Sequence, residues 1–408
     1  MYWLVFGLLI MGVIYEIYID TRAGRIGEKT IVIGHHKLSG PVICFTMMTI
    51  VMTGMAALRW GQGTDWFGYR KLFSMTNLSY HALTSIEPVY RLIAYSFNIM
   101  GIPYEVFVAL LALFEMFCIW RFIQKYSPYK TMSLLLLYPT LYLTYIFSCY
   151  REAVALAIFL GFCIPFLQEG KWIKYCAGVM LAVGFHKTAL LLLVIPIIYR
   201  ISYKWLCRMI IAAVGAGIVF CVLDVSALLE FLMREKASYY LNAWGDLDFS
   251  PMGMAERTLM VAFILWGSRR YRKEEKKDDC TVLLCKIYVV GYMISVGTMR
   301  YSLISSRTGV YFKAVEIVLI PILISQMKPL IRKLVVAVLL LYVCVFFIKN
   351  IAMYISQSGY LDTNIWNYPY ISIFTRDSVD RDTITGWPGI DDKRNHLDGY
   401  IRYKYIRH

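Results

Sequence analysis

Charge is scarce in this chain. Asp, Glu, Lys and Arg make up 17% of its 408 residues, where a soluble domain carries about a quarter. With 59% of residues hydrophobic and a mean hydropathy of +0.56, a soluble fold is excluded and a polytopic membrane protein is indicated. Acidic residues are the scarcer sign, 27 against 42 Lys and Arg, which leaves a formal net charge of +15. Nucleic-acid binding is one use of such an excess. Membrane proteins, however, gather Lys and Arg in cytoplasmic loops, and the excess is read that way, with no nucleic-acid partner. The ten cysteines form no CxxC pair and lie mostly in apolar runs, which excludes a disulfide frame or a zinc site. No HExxH, DxD, GxSxG or Walker A motif stands in a usable context. Metal-dependent and acyl-enzyme chemistry therefore find no support, and no cofactor or metal is expected. Residues 1–19 lack a basic leader and a small-residue cleavage site, so they read as a retained first helix.

What the chain has is apolar length. Segments at 2–19, 41–58, 104–122, 131–148, 151–167, 172–185, 187–199, 208–224, 254–268, 282–299, 309–327 and 334–350 predict an all-α integral membrane protein of about 12 membrane segments. A full span needs roughly 20 apolar residues. The two segments around His186 fall short, so 172–199 is expected to be a hairpin of short or broken helices. Five basic clusters then share one side, which the positive-inside rule makes cytoplasmic. They are Arg22 to Lys37, Arg121 to Lys130, Arg200 to Arg208, Arg269 to Lys277, and Lys328 to Lys333. This topology places Asp65, Glu87, Arg91, Arg151, His186, Arg300 and Arg307 at or near the opposite, external ends of their segments. Residues 1–350 are expected to form the transmembrane catalytic domain and 351–408 an external tail.

The costly residues concentrate between Cys149 and Arg200. Tyr150-Arg151-Glu152 opens one apolar run, and Gly184-Phe185-His186-Lys187-Thr188 interrupts another. Ionisable groups at membrane depth are functional candidates by default. Arg91, Arg151, Arg300 and Arg307 fall on one expected face, and guanidinium matches phosphate oxygens with a planar fork. A pyrophosphate or another anion is one reading; snorkelling to lipid headgroups is the other. His186, the one histidine inside an apolar stretch, suits proton transfer or an interhelical hydrogen bond. In Gly61-Gln62-Gly63-Thr64-Asp65 the glycines let backbone approach a ligand. Asp65 could accept sugar hydroxyls there, with Trp66 and Tyr69 as stacking faces. The same residues also suit a tight turn capping an interfacial helix.

Taken in order, Gly63-Thr64-Asp65 with Tyr69, Glu87-Pro88, Arg151 followed by Glu152-Ala153-Val154-Ala155, Phe185-His186-Lys187-Thr188-Ala189, and Arg307 with Tyr311-Phe312 and Pro321 resemble the EpsG family of Wzy-type polysaccharide polymerases. The resemblance covers roughly residues 1–330 and leaves the tail outside. It implies an enzyme of the bacterial cytoplasmic membrane that polymerises undecaprenyl-diphosphate-linked oligosaccharide repeat units for capsule, exopolysaccharide or O-antigen. Diphosphate is an activated leaving group, so cations can neutralise its departure and a histidine can deprotonate the acceptor hydroxyl. The implied catalytic set is Asp65, Arg151 and His186. Arg91, Arg151, Arg300 and Arg307 would bind diphosphate, and Trp66, Tyr69 and Glu87 would bind sugar. Membrane lipid, a chain-length regulator and a flippase of the same pathway are the implied partners.

Three other readings compete. A flippase or transporter would also want cations and broken helices, but near the midplane. A membrane glycosyltransferase acting on other lipid-linked sugars would use an external acidic pair, for which Asp65 and Glu87 are available. A membrane O-acyltransferase would use an intramembrane histidine.

Overall fold

A computed structural model describes residues 1–23, 30–33, 36–76, 86–222, 250–273, 279–358 and 363–376. Apart from an antiparallel hairpin of Thr30–Ile33 with His36–Ser39 and one isolated bridge, regular structure among the described residues is helical. Among the described residues six helices are long and apolar enough to cross a membrane: Tyr2–Thr21, Gly40–Ala57, Tyr104–Tyr126, Tyr150–Gln168, Cys280–Gly297 and Pro329–Ser356. A pair bent by 46°, Ile304–Lys313 with Glu316–Ser325, has the length and composition of a seventh when counted as one span. The expected 12 segments are thus not all full spans. Those at 131–148, 172–185, 187–199 and 254–268 are helical but short or interrupted, and Tyr203–Val222 carries Lys204 and Arg208 in its opening turns.

The chain folds as two compact units. The first takes in residues 1–157, 184–186 and 327–408, the second 158–183 and 187–326.

In the first unit Tyr2–Ala23, Gly40–Ala57, Tyr104–Tyr126 and Lys130–Leu137 pack on one another. No capping side chain adjoins the start of Lys130–Leu137. Buried Glu16 supplies one from afar, accepting from Thr131 N at 3.3 Å and Met132 N at 3.1 Å, where the helix presents free N–H groups. Pro139 has no N–H to continue the α-helical ladder. The chain runs on in π-helical form, Tyr138–Ile146, and the disturbed carbonyls find partners on the last helix. Asn350 Nδ2 donates to Pro139 O at 2.6 Å, Tyr354 OH donates to Leu143 O, and Thr144 Oγ1 donates to Asn350 Oδ1 at 3.2 Å. Irregular backbone in a membrane fold is tolerated when protein groups satisfy it in this way.

That last helix, Pro329–Ser358, continues past the expected end at 350. Residues 363–376 then return onto the unit. Trp60 N donates to Ile371 O and Ile373 N to Leu58 O, both at 2.9 Å, around a bridge between Arg59 and Ser372. Trp366 stacks on Trp3 with centroids 4.5 Å apart. Ile371 and Tyr368 are buried.

The second unit contains the arms of the expected hairpin. Trp172–Phe185 ends at His186, a 3-10 helix runs Lys187–Val194, and Ile195–Arg200 follows. The arms are antiparallel: Tyr175 OH donates to Leu192 O at 2.6 Å, and the Trp172 and Tyr199 rings meet at 5.4 Å. Cys280–Gly297 packs against Tyr203–Val222, Pro251–Gly267 and Ser302–Lys313. At the break of the bent pair, Lys313 Nζ lies 2.8 Å from Glu256 Oε1 and 4.0 Å from Glu316 Oε1. Tyr288 OH donates to Glu316 at 3.4 Å, so each charge has an opposite or a donor within reach.

Candidate functional site

The loop before Asp65 is shaped by two glycines with positive φ, Gly61 at 62° and Gly63 at 95°. A Cβ on Gly63 would overlap the Phe147 carbonyl, so only glycine lets the two backbones come this close. Thr64 N donates to Ser148 Oγ at 3.1 Å. Asp65 opens the Trp66–Met75 helix, with Cys149 Sγ 3.8 Å from its Oδ2. Trp66 is wholly buried among Trp60, Phe67 and Tyr104. Its ring packs the loop and offers no open face to a sugar.

Two helix starts bring the charged groups together. Glu87 precedes Pro88–Ile99, where proline suits the first helical position. Tyr150–Ile158 begins with Tyr150, Arg151 and Glu152. Arg151 Nη1 pairs with Glu87 Oε2, and Nε donates to Tyr69 OH at 3.3 Å. The guanidinium carbon stands 5.4 Å from the Tyr69 ring centroid and 5.9 Å from that of Tyr90. The Arg151 side chain keeps 20% of its surface exposed, and its Nη2 makes no hydrogen bond among the described residues. The other Glu87 oxygen lies 3.6 Å from His186 Nδ1, while Glu152 Oε2 lies 3.8 Å from His186 Nε2. The imidazole is therefore flanked by two buried carboxylates. Gly184 permits the approach of this segment, since a Cβ there would strike Val89 Cγ2.

Burial pushes the Tyr69 hydroxyl far above the usual phenol range, Arg151 opposing the shift only in part. Tyr90 is raised in the same way, first by burial and then by neighbouring Tyr69. Both stay protonated near neutral pH and act as donors or walls, which leaves base chemistry to His186 and the carboxylates.

Asp65, Tyr69, Glu87, Arg151 and His186 are thus neighbours through direct or single-residue links. Glu87 serves as the counter-charge of Arg151, a different use from the sugar contact expected of it. Arg91 lies half-buried in the first turn of Pro88–Ile99. Arg300 and Arg307 belong to the second unit, Arg300 beside the Tyr301 ring at 5.8 Å and Arg307 within Ser302–Lys313. Among the described residues no group of His, Cys, Asp and Glu is arranged to hold a metal ion. Four residues went unclaimed in the sequence. Glu152 was visible as a carboxylate opening an apolar run. Arg59, Gln62 and Tyr90 carried no such signal; each is buried through contacts distant in sequence.

No curated protein and no solved structure matches this chain. The model of the EpsG family matches residues 42–372. The match therefore reaches into the segment beyond 350, which the resemblance had left outside, and takes in the strand-like contacts of Ile371 and Ser372. With helices apolar enough to cross a membrane and most of its length matched, the chain is a membrane protein of the EpsG family, whose members are like Wzy-type polysaccharide polymerases.

Proposed function

We propose that this protein polymerises undecaprenyl-diphosphate-linked oligosaccharide repeat units into a surface polysaccharide, by inverting glycosyl transfer at the outer face of the bacterial cytoplasmic membrane. The observation that carries the reading is the constellation of Arg151, Glu87, His186 and Glu152. An acceptor hydroxyl gives its proton to His186 as its oxygen bonds to the anomeric carbon of the donor. The bond from that carbon to diphosphate breaks, and its electron pair leaves with the phosphate oxygen. Arg151, held by Glu87 and Tyr69, turns its remaining donors toward that developing charge. Glu87, facing Nδ1, orients the imidazole and stabilises the positive charge it gains, as the carboxylate of a catalytic triad does. Nε2 then takes the proton, with the Glu152 charge nearby. Asp65 and Tyr69 are assigned to sugar hydroxyls, and Arg91 to a further contact with the diphosphate.

Sidedness rests on the first unit alone. Tyr104 OH donates to Trp66 O at 3.1 Å, so the site lies beside the start of Tyr104–Tyr126. Lys125 closes that helix and Lys130 opens the next. The basic residues thus stand at the end away from the site, as the positive-inside rule requires of an outward-facing one.

The test is reconstitution with lipid-linked repeat units. Wild-type protein should yield a ladder of lipid-linked polymer, and His186→Ala should yield little. A single sugar transferred, an ester formed, or movement of the lipid across the bilayer with no polymer would replace this reading by transferase, acyltransferase or flippase.

A further inference from the structure

The Trp60–Asp65 loop is held from two sides. On one side stands the returning segment 363–376. Gln62, 1% exposed, accepts from Tyr2 OH at 2.7 Å and donates through Nε2 to Pro369 O at 2.6 Å. Tyr370 OH donates to Met55 O at 2.8 Å, at the end of Gly40–Ala57 that leads into the loop. With the paired backbone of Leu58, Trp60, Ile371 and Ile373, these bonds fasten residues 55–62 to the chain that follows the last helix. A buried amide that uses both its donor and its acceptor fixes a geometry that an apolar side chain would not.

On the other side stands the turn at 146–151. Gly63 touches the Phe147 carbonyl and Thr64 bonds Ser148. Arg59 Nη2 donates to Ile146 O at 2.8 Å, and its guanidinium lies 4.8 Å from the ring centroids of both Phe147 and Tyr150. Arg59 also donates to Ala56 O, so one buried cation joins the carbonyl ends of two helical segments, where its charge is favoured. The next residue after Tyr150 is Arg151.

We infer that residues 363–373 form a strap that positions Arg151, acting through Gln62 and the Arg59–Asp65 loop on the turn at 146–151. Gln62 is a positioning residue in this scheme. The strap's catalytic consequence rests on the function proposed above; its mechanical reach does not. A displacement of about 1 Å in a reacting group can cost about 10²-fold in rate, so a loosened strap should act on turnover more than on binding.

The experiment uses the full-length protein in proteoliposomes with undecaprenyl-diphosphate-linked repeat units, together with hydrogen exchange read by mass spectrometry. Gln62→Met removes both side-chain bonds at similar volume, and Tyr370→Phe removes a single hydroxyl as the milder variant. For Gln62→Met the expected result is a kcat lowered about 10²-fold with KM for the lipid-linked donor near wild type. Exchange at 147–151 should quicken about tenfold, within what loss of the two buried hydrogen bonds allows. Tyr370→Phe should move both readouts the same way by less. Unchanged exchange at 147–151 in both variants overturns the inference, and so does faster exchange with unchanged kcat. Should wild-type protein form no polymer, the proposed function falls while exchange still judges the strap: quickening at 147–151 sustains its reach, and no quickening removes it.

Discussion

Glu152 presents a carboxylate oxygen 3.8 Å from His186 Nε2, from a side chain with 1% of its surface exposed. The neighbouring Arg151 pairs with Glu87, while Glu152 faces the imidazole from its other nitrogen. Glu152→Gln keeps the shape and removes the charge. A nearby anion favours the protonated imidazole, and its loss favours the neutral one. The acid limb of the pH–rate profile should move to lower pH, with insertion unchanged. An unmoved limb would detach Glu152 from the proton transfer.

His186→Ala should lower turnover by about 10²–10⁴-fold, the usual worth of a general base, and leave binding of the lipid-linked donor largely intact. Wild-type rate should fall as pH drops through the imidazole's titration, which Glu87, Glu152 and Arg151 surround. The variant's residual rate should show no such limb. Coincident profiles would make His186 a packing residue and turn attention to Asp65 and Glu152.

Arg151→Lys retains a charge but loses the fork that meets Glu87 and Tyr69 at once. Polymer yield should drop severely at normal abundance in the membrane. Glu87→Ala should be worse for the fold, since it leaves a largely buried guanidinium without its counter-charge, a loss of about 3–5 kcal/mol. Thermal unfolding in detergent separates the two effects, with only Glu87→Ala expected to lower the midpoint markedly.

Gly184→Ala should impair activity by pressing on Val89, and Val89→Ala should relieve it in part by removing Cγ2, the atom in closest conflict, while Cβ at 2.9 Å remains. Partial recovery of kcat in the double variant is the expected outcome of a steric contact. Equal activity in the single variant and wild type would show that the segment before His186 has room to shift.

Reporter fusions give the orientation directly. Fusions after Lys125 and after Lys333 should read cytoplasmic, and one after Arg376 should read external. A cytoplasmic signal after Arg376 would invert the proposed face.

Much of the first unit's site could be read from the chain because hydrocarbon makes polar residues conspicuous. Arg151 and His186 stood out against apolar runs, and the short arms around His186 announced the helix break at that residue. Glu152 was visible as a carboxylate but not as a separate member of the site, since one motif was read where two side chains take separate partners. Trp66 looked like a stacking face because an interfacial tryptophan and a packed one have the same local sequence. The pairing of Leu58 and Trp60 with Ile371 and Ile373 left no local pattern at all. Its hydrogen bonds join backbone atoms, which composition and periodicity do not register. Pro139 and Pro196 interrupt segments whose hydropathy alone looks continuous, so the number of expected segments exceeds the number of long apolar helices among the described residues.

The ion pairs that Lys313 makes with Glu256 and with buried Glu316 bear on how the protein is made. A lysine or acidic residue released alone into lipid costs about 2.5–3.5 kcal/mol at the membrane centre. Lys313 and Glu316 meet that penalty together, and Lys313 depends further on Glu256 from a helix synthesised earlier. If the bent pair enters the bilayer after Pro251–Gly267, the two are expected to pair as the bent pair emerges. Glu256→Ala should accordingly reveal itself first during biogenesis, as chains retained at the translocon or cleared by quality-control proteases.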